Sequence, residues 1–500
     1  MKKTEIITTK NGKIQGYSEN GLQIFKGIPF AEPPVGDLRF KPPIAKKPWD
    51  GALETTKYSA CAFQGYSELE EWIGKSAPES EDCLYLNVWT PATDAGKRPV
   101  MVWIHGGAFL MGTGSDPMYD GSTLARRGDV VIVTINYRLG FFGFPYIKGK
   151  VANLGSLDQI LALKWVRDNI KLFGGDPNNV TIFGESAGGY SVVSLCSMPA
   201  AKGLFRRVIA ESAPMIDPAV SDKITVKILR KLGVKGDDFN ELREKPAQEI
   251  IAIQNKIFAS DPTNIMALRP LIEGEIWPKH PLKAFQDGDC ADIELMIGTN
   301  LDEIKLFTAM KVLSTLAAGG DNVLAGFLGT LKVNPEKSKE IIATYKEARS
   351  AKNLSIKPKD LFDAILTDVT FRISTIRLLE AQSSHQPHTY SYLFTWPSPG
   401  LNGILGSSHA LELPFVFGTL DSPTFKDFVV VNPTTKALSE KIMDAWIAFA
   451  RTGNPSHKSI PKWPAYDTKK RATMALGEKC DVINAPFDKE RAVWDSLLKM

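Results

Sequence analysis

The chain has 500 residues, 43% of them hydrophobic, and a formal net charge of +4 at pH 7. That length suffices for one large α/β domain or two to three smaller ones. The basic residues are dispersed, with Lys469-Lys470-Arg471 among the few tight clusters, which argues against a nucleic-acid partner; no run reaches the ~18–20 apolar residues of a membrane span.

The N-terminus, Met1 to Lys10, starts charged but has no apolar core behind it. It is not a signal peptide as written, although a leader removed earlier would leave secretion open. The five cysteines (Cys61, Cys83, Cys196, Cys290, Cys480) are few and odd in number, which fits a cytoplasmic protein better than one built on disulfides.

Residues 4–30 form short alternating runs with turn signals at Asn11-Gly12 and Asn20-Gly21, predicting antiparallel strands. A proline-rich connection follows, then a predicted strand over 82–89. The runs 100–104 and 130–136 are continuously apolar, as suits central parallel strands buried on both faces. Between them lies the glycine loop His105-Gly106-Gly107-Ala108-Phe109. Ser156-Leu157-Asp158-Gln159 matches a capping box, opening a helix with Leu157, Leu161, Trp165, Val166 and Ile170 on one face and ending at Gly174-Gly175. Strands are predicted over 179–183, 208–210, 293–298 and 389–394. Residues 215–290 and 305–385 read as helical insertions over the sheet, and a final helix covers 435–451. Such alternation predicts an α/β fold with an open, mostly parallel sheet.

The stretch Thr181-Ile182-Phe183-Gly184-Glu185-Ser186-Ala187-Gly188-Gly189 contains Gly-x-Ser-x-Gly, the nucleophile-elbow pattern of strand, tight turn and helix. Glycines are needed where backbones meet closely at so sharp a turn. The serine sits at a helix N-terminus, where free N–H groups and the helix dipole favour developing negative charge. A serine hydroxyl is a weak nucleophile. It needs a base and a third group that orients the base, in the chain order Ser, Asp/Glu, His for this kind of fold. Well downstream of Ser186, the histidines in loop settings are His385, His388, His409 and His457. His409 lies in a flexible loop running into an apolar stretch, well placed to reach the elbow. The acid is expected just past the 293–298 strand, where spacing does not choose between Asp302 and Glu303. The N–H groups of Gly106, Gly107 and Ala187 suit an oxyanion hole of the HGGG type.

These motifs carry a family resemblance that runs nearly end to end. Gly27-Ile28-Pro29-Phe30-Ala31-Glu32-Pro33-Pro34, Glu81-Asp82-Cys83-Leu84-Tyr85-Leu86-Asn87-Val88, Trp103 to Phe109, Asn136-Tyr137-Arg138-Leu139-Gly140, Gly184 to Gly189 and His409 to Phe417 together resemble the type-B carboxylesterases. Among these, the bacterial para-nitrobenzyl esterases look most similar. The resemblance implies one α/β-hydrolase domain over residues 1–500, with the helical insertions roughly over 215–290 and 305–385. It implies hydrolysis of small-molecule esters, without cofactor or metal, by a bacterial cytoplasmic enzyme that is a monomer or small homo-oligomer.

It also implies roles for particular residues. Glu303 is the acid beside the nucleophile Ser186 and the base His409; Gly106, Gly107 and Ala187 form the oxyanion hole. Glu185 is the acidic neighbour of the nucleophile, and Ser212 and Asp368 support the triad from behind. Cys61 and Cys83 match a family disulfide. Phe109 and Trp72 are candidates for the substrate pocket. Cholinesterases carry a choline-binding tryptophan in the loop that holds Trp72, but the spacing here differs, so an aromatic wall without choline preference is expected. An amidase or peptidase with the same triad, or a binding protein that has lost catalysis, are the rival readings; the intact residues argue against the second.

Overall fold

The two continuously apolar runs do become neighbouring strands at the centre of a sheet. In this computed structural model, residues 2–64, 77–214, 220–236, 238–261, 266–310, 317, 319–495 and 497 are described. Their strands are β1 (Lys2–Lys3), β2 (Ile7–Thr8), β3 (Lys13–Gln15), β4 (Tyr17–Glu19), β5 (Leu22–Pro29), β6 (Ala52–Glu54), β7 (Tyr85–Thr90), β8 (Arg98–Ile104), β9 (Val131–Ile135), β10 (Gly175–Glu185), β11 (Arg207–Glu211), β12 (Glu294–Asn300), β13 (Thr389–Phe394), β14 (Ala472–Leu476) and β15 (Asp481–Asn484).

Twelve of them form one sheet in the order β1-β4-β5-β7-β9-β8-β10-β11-β12-β13-β14-β15, and β2-β3-β6 form a small second sheet. From β9 to β14 every neighbouring pair is parallel. Antiparallel strands finish both ends. The β4–β5 hairpin turns on Asn20 (φ 47°) and Gly21 (φ 80°), as the Asn-Gly signal requires. This is an α/β-hydrolase architecture, a large mostly parallel sheet flanked by helices.

Both faces are covered, which explains why β8 and β9 read as unbroken apolar runs. Helices Leu154–Asn169 and Ala187–Leu195 pack one face through Ile160, Leu163, Val166 and Val192. Helix Pro433–Thr452 packs the other through Ile442, Trp446 and Phe449. The helices of the second insertion, with Trp494, build an apolar cluster of their own.

Three expectations need correcting. Ser156 does not cap its helix. The helix begins at Leu154 behind Asn153, which takes the left-handed conformation (φ 52°), and Ser156 is buried within the first turn. Gln159 instead donates to Ser191 Oγ at 3.1 Å, joining the two helices. The apolar stripe is also shifted. Leu157 and Leu161 are only partly buried, because Ile160 and Leu163 face the sheet. Finally, the helix predicted over 435–451 is not the last element of the chain. The residues after 452 add β14, β15 and helix Asp488–Trp494.

The registers align the carboxyl ends of the central strands: Gly184 pairs with Ile104 and Ala210, Glu185 with Glu211, and Glu211 with Gly298. His105, Ser186 and Ser212 each stand one residue past such an end, where open α/β sheets bind their ligands.

Candidate active site

The elbow is built from backbone approach. A Cβ on Gly184 would lie 2.6 Å from Ile104 O and from the Gly188 carbonyl carbon, and one on Gly188 would strike Ile104 O. A Cβ on Gly189 would meet Glu211 O at 2.5 Å. Only glycine fits at all three. Between them Ser186 takes φ 56° and ψ −120°, a strained conformation for a residue with a side chain. It is held by its N–H to Glu211 O (2.9 Å) and its carbonyl, which accepts from Tyr190 N (2.8 Å). Ser186 is the one partly exposed residue among buried neighbours on both sides.

The turn after β12 brings Glu303 to His409. Glu303 Oε2 accepts from His409 Nδ1 at 2.7 Å. Its other oxygen is saturated, accepting from Ser212 Oγ at 2.6 Å and from Asn300 N at 2.7 Å. Asp302 points elsewhere, to Ser407 N (3.0 Å) and Lys305 (3.0 Å). The geometry thus separates the two carboxylates that spacing left open. His409 Nε2 lies 3.0 Å from Glu185 Oε1, off the line of a good hydrogen bond. Among the described residues no hydrogen bond joins His409 to Ser186 Oγ. The rings of Phe371 and Phe307 lie 4.9 and 5.3 Å from the imidazole.

Burial opposes a charge on His409, but the adjacent Glu185 and Glu303 outweigh it, and its pKa stands well above the ordinary histidine value. Beneath it, burial raises the carboxyls of Glu185 and Glu211, while burial with the nearby Glu185 and Glu303 pushes Glu412 up to about 8. Trp446 Nε1 donates to Glu211 Oε1 at 2.8 Å.

The glycine loop lies against the elbow. A Cβ on Gly106 would sit 3.2 Å from Ser186 Cβ and 2.7 Å from Glu185 O. Gly107 (φ 103°), Ala108 (φ 54°) and Phe109 (φ 62°) all have positive φ. Among the described residues, the N–H groups of Gly106, Gly107 and Ala187 donate to no protein acceptor, so they are available to a developing anion. His105 anchors the loop. Its ring stacks on Tyr137 at 4.5 Å, Tyr137 Oη donates to His105 O at 2.9 Å, and burial lowers its pKa to about 4.

Asp368 does not touch Ser186, Glu303 or His409 directly. It pairs with Arg372 and accepts from Tyr345 Oη, and Arg372 Nη2 in turn donates to the carbonyls of Asn300 (3.2 Å) and Leu301 (2.9 Å). Phe109 is not a pocket wall. Its ring is fully buried, edge-on to Phe144 (5.1 Å) and Tyr190 (5.8 Å), within the main apolar core. Trp72 lies outside the described residues. Cys61 and Cys83 are unbridged thiols. The Cys61 sulfur faces the carbonyls of Ala77 and Pro78, and Cys83 sits in the main apolar core. His385, His388 and His457 contact backbone carbonyls remote from the elbow. Asn300, Arg372, Glu211, Glu412, Phe307 and Phe371 were not singled out from sequence. Glu412 lay within the quoted His409 to Phe417 motif, but nothing in its spacing told its role.

The described residues contain no group of three or more His, Cys, Asp or Glu able to hold a metal, and no helix long and apolar enough to cross a membrane.

Comparison with known proteins shows the family to which the chain belongs. Residues 3–494 match the carboxylesterase family. The chain is 38% identical to the para-nitrobenzyl esterase of Bacillus subtilis (strain 168), over 97% of this chain and 98% of that protein. It is 35% identical to phenmedipham hydrolase of Pseudarthrobacter oxydans, over 95% of each. The solved carboxylesterase of Geobacillus stearothermophilus at pH 6.2 superposes with a TM-score of 0.87 at 38% identity, covering 98% of this chain and all of that one. The chain therefore belongs to the carboxylesterase family of carboxylic ester hydrolases.

Proposed function

We propose that the protein hydrolyses small and aromatic carboxylic esters through an acyl-enzyme on Ser186. His409 takes the serine proton and passes it to the departing alcohol; Glu303 fixes the imidazole tautomer from Nδ1 and balances the imidazolium that forms. Gly106, Gly107 and Ala187 donate to the tetrahedral oxyanion. Water, deprotonated by His409, then attacks the acyl carbonyl; the bond to Ser186 Oγ breaks, the serine oxygen takes the proton back from His409, and the acid is released. The observation that supports this best is the His409–Glu303 hydrogen bond beside a serine held in the elbow conformation. His409 Nε2 must turn from Glu185 toward Ser186 Oγ during the reaction, and catalytic hydrogen bonds are often long before substrate binds. Phe307, partly exposed against His409, supplies an apolar wall suited to aromatic groups, backed by the buried Phe371.

The test is a burst experiment with a para-nitrophenyl ester beside its matched anilide, with an organophosphate adduct mapped by mass spectrometry. The expected outcome is an ester burst, far slower anilide cleavage and a single adduct on Ser186. An adduct elsewhere overturns the assignment, and comparable anilide turnover favours an amidase.

A further inference from the structure

Asn300 ends β12 and is fully buried. Its polar groups reach Glu303 and the loop that carries His409. The backbone N–H donates to Glu303 Oε1 at 2.7 Å, saturating with Ser212 the oxygen that His409 does not use. The side-chain amide donates to Ser408 O at 2.7 Å and to Glu412 Oε2 at 2.5 Å. Those acceptors stand one residue before and three residues after His409, so a single NH₂ group straddles the histidine in the chain. Its backbone is itself fixed, since Arg372, anchored on Asp368, holds the Asn300 and Leu301 carbonyls.

We propose that Asn300 is a positioning residue for ester hydrolysis: it locks the loop carrying His409 to the turn carrying Glu303, with Glu412 as the buried acceptor that keeps its amide in place. The proposal rests on the reading of Ser186, His409 and Glu303 as the triad. Besides the His409–Glu303 pair itself, Asp302 N to Ser407 O (2.9 Å), Ser407 N to Asp302 Oδ2 (3.0 Å) and His409 N to Glu303 O (3.3 Å) join the same segments, but they hold the loop only at or before His409. Among the described residues, only the Asn300 amide donates to acceptors on both sides of His409 in the chain. A small displacement of a catalytic group costs about 10²-fold. A donor in a fully buried place cannot be replaced by solvent.

The variants are Asn300→Ala, Glu412→Ala and Glu412→Gln. They are assayed with a para-nitrophenyl ester after titration of active sites with an organophosphate, so that misfolded protein does not count. Asn300→Ala should lower kcat per titrated site by about 10²-fold, with KM within about threefold. Its acid limb should move to lower pH, because a looser loop lengthens the His409–Glu303 contact. Glu185, the other charged group facing His409, is left in place. Glu412→Ala should reproduce part of the loss. Glu412→Gln, which keeps an acceptor of the same shape, should recover at least tenfold over Glu412→Ala. A purely structural Asn300 would lower the melting temperature alone, and unchanged kcat and pH limb per titrated site in Asn300→Ala overturn the proposal. If that variant does not fold, equal activity of Glu412→Ala and Glu412→Gln overturns it. Failure of the triad reading is seen separately, as loss of the Ser186 adduct in the unmodified protein.

Discussion

Ser186 and His409 meet at one end of the sheet but are held by different means. Ser186 is set by backbone: three glycines at which a Cβ would collide with a neighbouring strand, and a serine forced to positive φ. His409 is set by side chains from distant segments. Glu303, Glu185, Asn300 and Glu412 surround or brace it, and Arg372 and Ser212 hold those in turn. A backbone device must be written in consecutive residues, whereas a side-chain device can be assembled from any part of the chain.

The largest expected effect lies on the backbone side. Ser186→Ala should reduce ester turnover by about 10⁴-fold or more while melting is unchanged. Residual turnover within tenfold of the unmodified protein would place the nucleophile elsewhere. Glu303→Gln should follow closely, near 10⁴-fold in kcat, because an amide facing Nδ1 stabilises the wrong tautomer.

Gly106→Ala brings a methyl group into contact with Glu185 O and Ser186 Cβ, and should cost about 10²–10³-fold by displacing an oxyanion donor. Turnover within threefold would mean that this N–H does not serve the oxyanion. Asp302→Asn keeps a partner for Ser407 N and should cost less than about tenfold; a greater loss than for Glu303→Gln would reverse the assignment of the acid.

The smallest effect is a shift rather than a loss. Protonated His409 cannot accept the serine proton, so activity falls as pH drops through its pKa. Glu185 and Glu303 hold that pKa above the ordinary ~6.5, placing the acid limb on the alkaline side of it. Glu185→Gln removes one of the two charges and should move the limb to lower pH by about one unit. A limb that stays put in a rate–pH profile from 5 to 9 would show that Glu185 does not face the base in solution.

The same division explains what could be read from the sequence. The elbow, the glycine loop and the central strands were legible because each depends on consecutive residues: small ones where chains touch, apolar ones where both faces are covered. The family resemblance singled out Glu303 where spacing stopped at two carboxylates. Asn300 and Glu412 left no local mark, since their partners lie over a hundred positions away in the chain. Phe109 was misplaced because a sequence does not tell which way a loop residue turns its ring. The capping box at Ser156 failed because Asn153, three residues earlier, precedes the first turn of the helix.

The sheet order also bears on how the chain is made. From β10 outward the strands follow synthesis, β10, β11, β12, β13, β14 and β15, each docking on the edge its predecessor left open. On that side a growing chain extends the sheet without rearrangement, whereas β8 and β9 must exchange places on the other. The cost is an unprotected parallel edge at every intermediate length, the kind that recruits other chains. Only β15, short, antiparallel and only partly buried, ends the series. A nascent chain stopped after His409 but before Ala472 would hold every group of the triad and still present β13 bare along its outer edge, so release at that length is expected to yield aggregate rather than enzyme.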